Sequence, residues 1–322
     1  MTEPLVSVQI VVRNGEHLIR QCLDAVRAQT YPNREVIILD NASIDATAHI
    51  VETEYSNVHL VRSDRNWGMW PGHERLLPHT KGPYVLAVSA DVILEPHFIE
   101  QCVAACEREP SIDAVQGKIL QLPDRDRIDT CGFALSRGRR VINVGHGELD
   151  GPTFTHQRDI FGVEGAVPFF RRSALEGCRI DGHIWDPDYF WYGDDLDLAW
   201  RMTLLGHRQI FVPTAVAWHD RATTKGMATT PIIGQLKRRS QRRQIPIEKR
   251  RLDWANVRFT IIKNDRIVDL WRNAPYLLWR ECMVLGYTLL FEPGVLLAVP
   301  RFVRLLPRMF HRRRIIMHHI HS

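Results

Sequence analysis

Asp194, Asp195 and Asp197 stand in the segment Tyr189 to Arg201, YFWYGDDLDLAWR, where an aromatic loop runs into a helix. Leu196, Ala199, Trp200, Leu204 and Leu205 fall at helical spacing, so Asp194 and Asp195 sit at the helix N-terminus and Asp197 one turn in. Capping explains an aspartate in such a place, because exposed N–H groups and the macrodipole favour negative charge there. Three of them behind Trp185, Tyr189, Phe190, Trp191 and Tyr192 exceed what a cap requires. Aromatic faces beside a carboxylate suit a sugar: the rings stack on C–H surfaces, and the carboxylate accepts a hydroxyl proton.

Two further aspartates follow apolar runs. Asp40 comes after Ile38 and Leu39, and Asp91 comes three residues after Val88. In an open parallel sheet, ligands bind beyond the carboxyl ends of the strands, which makes such positions the first to consider. No GxGxxG follows the first apolar run and no GxxxxGK[ST] occurs, which lowers the dinucleotide and P-loop readings. An acidic site that takes a nucleotide diphosphate needs a cation to offset the repulsion, and hard divalent ions prefer oxygen ligands. Asp91 and His219 are the candidate ligands. Each residue also has a plainer reading: His219 after Trp218 as a core histidine, Asp40 with Asn41 and Ser43 as an Asx turn, and Arg65, Asn66 and Gly68 as an ordinary loop.

These residues need a scaffold, and the sequence supplies one. Val6 to Val12 reads as a strand, Glu16 to Gln29 as a helix and Glu35 to Leu39 as a second strand, which makes one βαβ unit. Ser43 is expected to cap the next helix with Asp45 in its first turn; Val58 to Val61 and Tyr84 to Val88 are further strands. Pro96 opens a helix to about Glu107, with Cys102 and Cys106 as packing residues. Repeated βα units imply a mostly parallel α/β sheet flanked by helices. Later on, Val115 to Leu120, Val163 to Phe170 and Gln209 to Val212 read as strands, and Pro123 to Arg158 as a mobile loop on the acceptor side.

The 322 residues carry a net charge of +5, which hides an asymmetry. From Lys237 to Ser322 there are 19 Lys or Arg against 6 Asp or Glu, while the first 236 residues hold 23 against 31. A catalytic region over 1–235 therefore precedes a basic, amphipathic helical region over 236–322. In the latter, Lys237 to Arg251 holds eight basic residues in fifteen, and the chain turns strongly apolar from Trp271. Cys282 to Val299 approaches the length of a membrane span but is broken by Glu292, Pro293 and Gly294, so two shorter membrane-lying helices are expected. Arg301, Arg304 and Arg308 share a helical face beside apolar Phe302, Leu305, Leu306, Met309 and Phe310, as suits a helix in a headgroup layer. A helical hairpin packed on the catalytic region and a full span are the alternatives. The six cysteines show no CxxC pair, and no signal-peptide pattern opens the chain, so a cytoplasmic location is expected.

The order of these features resembles the family 2 glycosyltransferases, inverting enzymes of the GT-A fold, and in particular their bacterial rhamnosyltransferase-like branch. The stretches that carry the resemblance are VSVQIVVRNGEHLIRQCLDAVRAQTYPNREVIILDNASIDAT, RNWGMWPG, YVLAVSADVILEP, GAVPFFRRSALE and YFWYGDDLDLAWRMTLLGHRQIFVPTAVAWH. The resemblance implies a GT-A fold whose Asp40 binds the pyrimidine base, with Val12 and Asn14 lining its pocket and Arg65 and Asn66 nearby. It implies that Asp91 is the remaining acid of a DxD motif, touching donor and metal, and that His219 is the later metal ligand. Asp195 becomes the general base with Asp194 beside it, and Trp191, Tyr192 and Asp194 face the acceptor. Ser89, Ala90 and Asp91 stand where a two-acid motif is usual, and Asp194 where a glutamate is usual. The implied cofactor is Mn²⁺ or Mg²⁺. The implied donor is a nucleotide sugar, dTDP-rhamnose first, and the acceptor a saccharide or polyprenyl-linked saccharide in cell-surface polysaccharide synthesis. The basic, apolar tail adds an anionic membrane surface on the inner face of the cell membrane as a partner. Two rival readings are a catalytically idle GT-A-like membrane scaffold and a nucleic-acid-binding protein that uses Lys237 to Arg251. That run has no interleaved aromatics for base stacking, so no nucleic-acid partner is expected.

Overall fold

β1 (Val6–Val12) is buried along nearly its whole length, as a strand covered by helices on both faces must be. The computed structural model describes residues 3–220, 242 and 245–321. β1 pairs in parallel with β2 (Arg34–Asp40) on one side and β4 (Tyr84–Ser89) on the other, and β3 (His59–Arg62) adds to β2. The crossovers are α1 (Ile19–Arg27), α2 (Thr47–Glu54) and α3 (Trp70–Leu76). In α1, Ile19, Cys22, Leu23 and Val26 recur at one-face spacing and are the residues it buries.

Past β4 come β5 (Val92–Leu94), α4 (Phe98–Arg108) and the long β6 (Ile112–Gln121). Between β4 and β6 lies β11 (Phe169–Arg171), antiparallel to both, and it is followed by α5 (Arg172–Gly177). α6 (Asp194–Leu204) leads into β12 (Arg208–His219), which pairs in parallel with β6. The sheet order is β10-β12-β6-β11-β4-β1-β2-β3, where β10 is Arg158–Asp159.

Several sequence expectations are corrected here. Of the apolar run Val163 to Phe170 only the end is strand, because Glu164, Gly165 and Pro168 make its first part a turn beside α6. Pro123 to Arg158 carries β7 (Ile128–Thr130) and the hairpin β8 (Phe133–Leu135) with β9 (Val141–Asn143) as well as loops. The strand expected to stop at Val212 continues through a register break at Pro213, which lacks the N–H that a regular ladder needs, and ends on His219. α2 starts at Thr47 rather than after Ser43; the Ser43 hydroxyl instead accepts the Asn14 N–H at 2.9 Å.

Three helices follow: α7 (Ile247–Asn264), α8 (Ile267–Phe291) and α9 (Val299–His321). The break at Glu292 to Gly294 stands where the sequence puts it, but α8 and α9 are longer than two short helices. α7 packs on α6, and Ala255 and Phe259 join Tyr189, Leu305 and Met309 in one apolar cluster. The boundary near residue 235 and most of the basic run Lys237 to Arg251 lie outside the described residues.

Candidate active site

Val12 and Asp40 end neighbouring strands and are register partners. Asp40 is buried, and its Oδ1 accepts the Ser43 N–H at 3.3 Å, so the Asx turn and the strand-end pocket coexist. Asn14 takes a left-handed φ of 53°, and its Oδ1 accepts the Ile44 N–H at 2.9 Å. Its side chain therefore builds the rim that Val12 and Asp40 open onto. Asn66 does similar work: its Oδ1 accepts from the Gly68 N–H at 2.9 Å and from Asn41 Nδ2 at 3.1 Å. Arg65 lies 3.4 Å over the Trp67 ring and Arg75 3.1 Å over it, a cation–π sandwich at the same edge.

At the other side of β1, β12 delivers His219 opposite Val92 of β5, next to Asp91. His219 Nε2 is 3.4 Å from Asp91 Oδ2, and its Nδ1 is 2.9 Å from Oδ2 of Asp129 in β7. Asp129 is fully buried and has His146 Nδ1 3.4 Å from its other oxygen. Burial disfavours the His219 imidazolium, but the two carboxylates outweigh it and raise the group to about 10. Burial likewise pushes Asp91 up, and His219 with the Ser89 hydroxyl more than reverses that, leaving it below the ordinary carboxylate range.

The pair fits a divalent cation. Asp91 Oδ1 is buried without a hydrogen-bond partner, so a hard oxygen ligand is already desolvated. Asp129 on Nδ1 fixes the imidazole orientation as carboxylates behind metal-bound histidines do, and a cation has to displace the Nε2 proton. Among the described residues no group of three His, Cys, Asp or Glu forms a complete cage. Phosphate oxygens of a bound nucleotide are the natural remaining ligands for an ion of the Mg²⁺ kind.

Asp195 reaches the end of β4 from the first turn of α6. A Cβ added to Gly165 would stand 2.9 Å from Asp195 Oδ2 and 3.1 Å from the Trp70 ring, so only glycine lets this turn meet the carboxylate. The next residue, Ala166, accepts the Ser89 N–H at 2.9 Å, which ties the turn to the end of β4, two residues before Asp91. Trp70 in turn stacks on Trp185 at 5.0 Å. Burial, then the charge of Glu164, raises Asp195 to about 6 against the stabilising backbone N–H of Leu196 at 2.8 Å. Asp194 is 3% exposed and has one oxygen without a partner. Burial and then the charges of Asp195, Asp186 and Asp197 push it well above the carboxylate range. The expectation that Asp194 faces the acceptor is thereby corrected: its carboxyl lies inside, next to Asp195. Trp191 and Tyr192 are partly exposed on the loop, with Lys249 Nζ 3.5 Å over the Trp191 ring.

Residues 7–162 match the family model "Glycosyl transferase family 2". The chain carries a family 2 glycosyltransferase domain. Asp40 and Asp91 fall within that match; Asp195 and His219 lie beyond it. The chain is 24% identical over 255 residues to the N-acetylglucosaminyl-diphospho-decaprenol L-rhamnosyltransferase of Mycobacterium tuberculosis H37Rv, covering 70% of this chain and 79% of that protein. Two other relatives are spanned over only 27% and 33% of their own lengths. Its fold is that of TarS from S. aureus, solved with UDP, with a TM-score of 0.59 at 16% identity over 98% of this chain and 86% of that one. GalNAc-T7, solved with UDP, GalNAc and Mn²⁺, has the same GT-A architecture, with a TM-score of 0.55 at 13% identity over 90% of this chain and 58% of that one.

Some functional residues around this family 2 domain escape sequence reading. Phe190, Tyr192 and Gly193 of the aromatic loop all have positive φ, a costly conformation for the two aromatics. Asn256 of α7 holds them, its Nδ2 lying 3.1, 2.8 and 2.8 Å from the carbonyls of Tyr189, Trp191 and Tyr192. Lys263, also on α7, is buried between Asp186 Oδ2 at 2.6 Å and Asp197 Oδ2 at 2.8 Å. Asn264 donates to the other Asp197 oxygen at 2.7 Å, and Arg312 to Asp186 Oδ1 at 2.6 Å. A lone lysine in the apolar stretch FTIIKND was the available signal. Asn41 and Asp129 gave none, since their partners are distant in sequence.

Proposed function

We propose that this chain transfers a sugar from a nucleotide-sugar donor to a saccharide or polyprenyl-linked acceptor, with inversion, in cell-surface polysaccharide synthesis. The observation that carries the reading is Asp195, ionised above about pH 6 and held by the Gly165 turn against the wall that also bears Asp91. A carboxylate so placed takes the proton of an acceptor hydroxyl as that oxygen attacks the anomeric carbon. One base and one displacement invert the centre. Asp194 lies buried beneath it, and Trp191 and Tyr192 offer ring faces to the acceptor. Val12, Asn14 and Asp40, with Arg65 and Asn66 at the rim, enclose the base of the nucleotide. Asp91 and His219 would hold a divalent cation, Mn²⁺ or Mg²⁺, which would supply positive charge toward the leaving diphosphate.

The rhamnosyltransferase relative supports dTDP-rhamnose as the first donor to test and a diphospho-polyprenyl saccharide as the acceptor class. The free cysteines, five of them buried, accord with a cytoplasmic site at the inner face of the membrane. The test is a panel of nucleotide sugars in thermal shift with and without Mn²⁺, followed by turnover with the donor that binds. Asp195→Asn should keep the donor-induced shift and lose at least about 100-fold in kcat. A variant of full activity, or a panel in which no nucleotide sugar stabilises the protein, overturns the reading.

A further inference from the structure

α8 carries its polarity the wrong way round for a helix on the surface of a water-soluble body. Its outward face bears Val268, Trp271, Leu278, Trp279, Met283 and Leu290, each between 57% and 78% exposed. Two of its four charged residues turn inward: Glu281 accepts from Arg258 of α7 at 2.6 Å, and Arg280 lies 3.0 Å from the same carboxylate with its side chain 20% exposed, while Arg272 stands on the outward side. A surface helix ordinarily does the opposite, and an apolar patch of this extent on one helix marks a surface meant to be covered.

We infer that this face docks in the headgroup layer of a bilayer that contains anionic lipid. Among the described residues the exposed Arg, Lys, Asp and Glu side chains of α8 and α9 are all arginine: Arg272 is 73% exposed, Arg304 and Arg314 are exposed, and Arg308 is 65% exposed while 3.0 Å from Asp188. The two acids of α8 before Phe291, Asp269 and Glu281, are each paired to arginine. α9 contains six arginines and no acidic residue. Trp271, Tyr276 and Trp279 on the exposed side are the amphipathic aromatics that settle at a membrane interface. Among the described residues no single helix is long and apolar enough to cross a membrane. α8 and the stretch Pro293–Ile320 pass that test only together, and they are bent by 113° at the break. The geometry therefore suits α8 lying in the interface, about 37 Å long against the surface, while α9 keeps Leu305 and Met309 packed against Tyr189 and Phe259.

The inference deepens the reading of a lipid-borne acceptor but rests on α8, not on the cleft. α7 joins the two places. Its Asn256 holds the carbonyls of the aromatic loop, and its Arg258 pairs with α8, so a docked α8 sets the acceptor-facing loop one helix away from the lipid.

The experiment is flotation of the full chain with phosphatidylcholine vesicles, with and without phosphatidylglycerol. The native chain should float with the anionic vesicles and be released by salt. Trp271→Glu, Leu278→Glu and Trp279→Glu combined should lower the bound fraction at least about tenfold while the thermal unfolding midpoint holds. Should the triple variant not purify folded, Trp279→Glu alone carries the test and should still weaken binding. Asp195→Asn should float like the native chain, which separates a failure of docking from a failure of the transferase reading. Equal flotation of native and substituted chains overturns the inference, as does a native chain that ignores vesicles. Loss of a dimer in light scattering without any vesicle binding would assign the face to a second copy instead, and also overturns it.

Discussion

Asp197 and Asp195 stand two residues apart in α6, yet they belong to regions with opposite electrostatic character. Asp197, Asp186, Lys263, Asn264 and Arg312 form a closed set in which each carboxylate has a cationic partner and hydrogen bonds, away from water. In the cleft, Asp195 is raised by burial and a neighbouring charge, and Asp91 keeps a buried oxygen without a partner. The first region spends its charges on fastening α7 and α9 to α6 and the loop before it. The second leaves a raised carboxyl and a buried carboxylate oxygen without a hydrogen bond, which suits moving a proton and binding a cation. The difference shows that aspartates crowded in one motif are sorted by what the rest of the chain brings to them.

The comparison predicts different failures. Lys263→Met should act on the closed set, leaving buried Asp197 without its lysine and Asp186 with Arg312 alone, and destabilising the fold by about 3–5 kcal/mol in denaturant unfolding. Donor selectivity of the protein that remains folded should not change. A loss under about 1 kcal/mol would mean that the network is not what holds the loop. Asp129→Asn should act on the cleft by releasing the orientation of His219. Mn²⁺ affinity, read from the electron-paramagnetic signal of the free ion, should fall about 10- to 100-fold with a smaller change in stability. Unchanged affinity would remove Asp129 from the account of the cation site.

Periodicity made the first half of the fold legible, because β1, β2, β4 and their helices carry the alternation in their own residues. Asp40 and Asp91 were singled out for the same reason: they stand at the ends of strands that announce themselves. The reading failed where a local rule met a distant partner. Pro213 stops a strand on local grounds, yet the ladder to β6 resumes beyond it and carries His219 to Asp91. Val163 to Phe170 looked like one strand because Val163, Val167, Phe169 and Phe170 outweighed Glu164 and Pro168, whereas Gly165 sits in a turn against Asp195. Lys263 meets Asp197 across 66 residues and Arg312 meets Asp186 across 126, separations over which spacing says nothing. Asp194 was grouped with its neighbours by type, and burial sets it apart.

The central claim is that Asp195 is the base, and the pH dependence of kcat/KM tests it most directly. A carboxyl raised to about 6 is protonated and inactive below that pH and ionised above it, so kcat/KM should climb tenfold per unit up to about 6 and then level. In Asp195→Asn the residual rate should lose that limb while donor affinity holds. A limb that persists unchanged in the variant, or one centred near the ordinary carboxylate value, would place the proton transfer on another group and contradict the account.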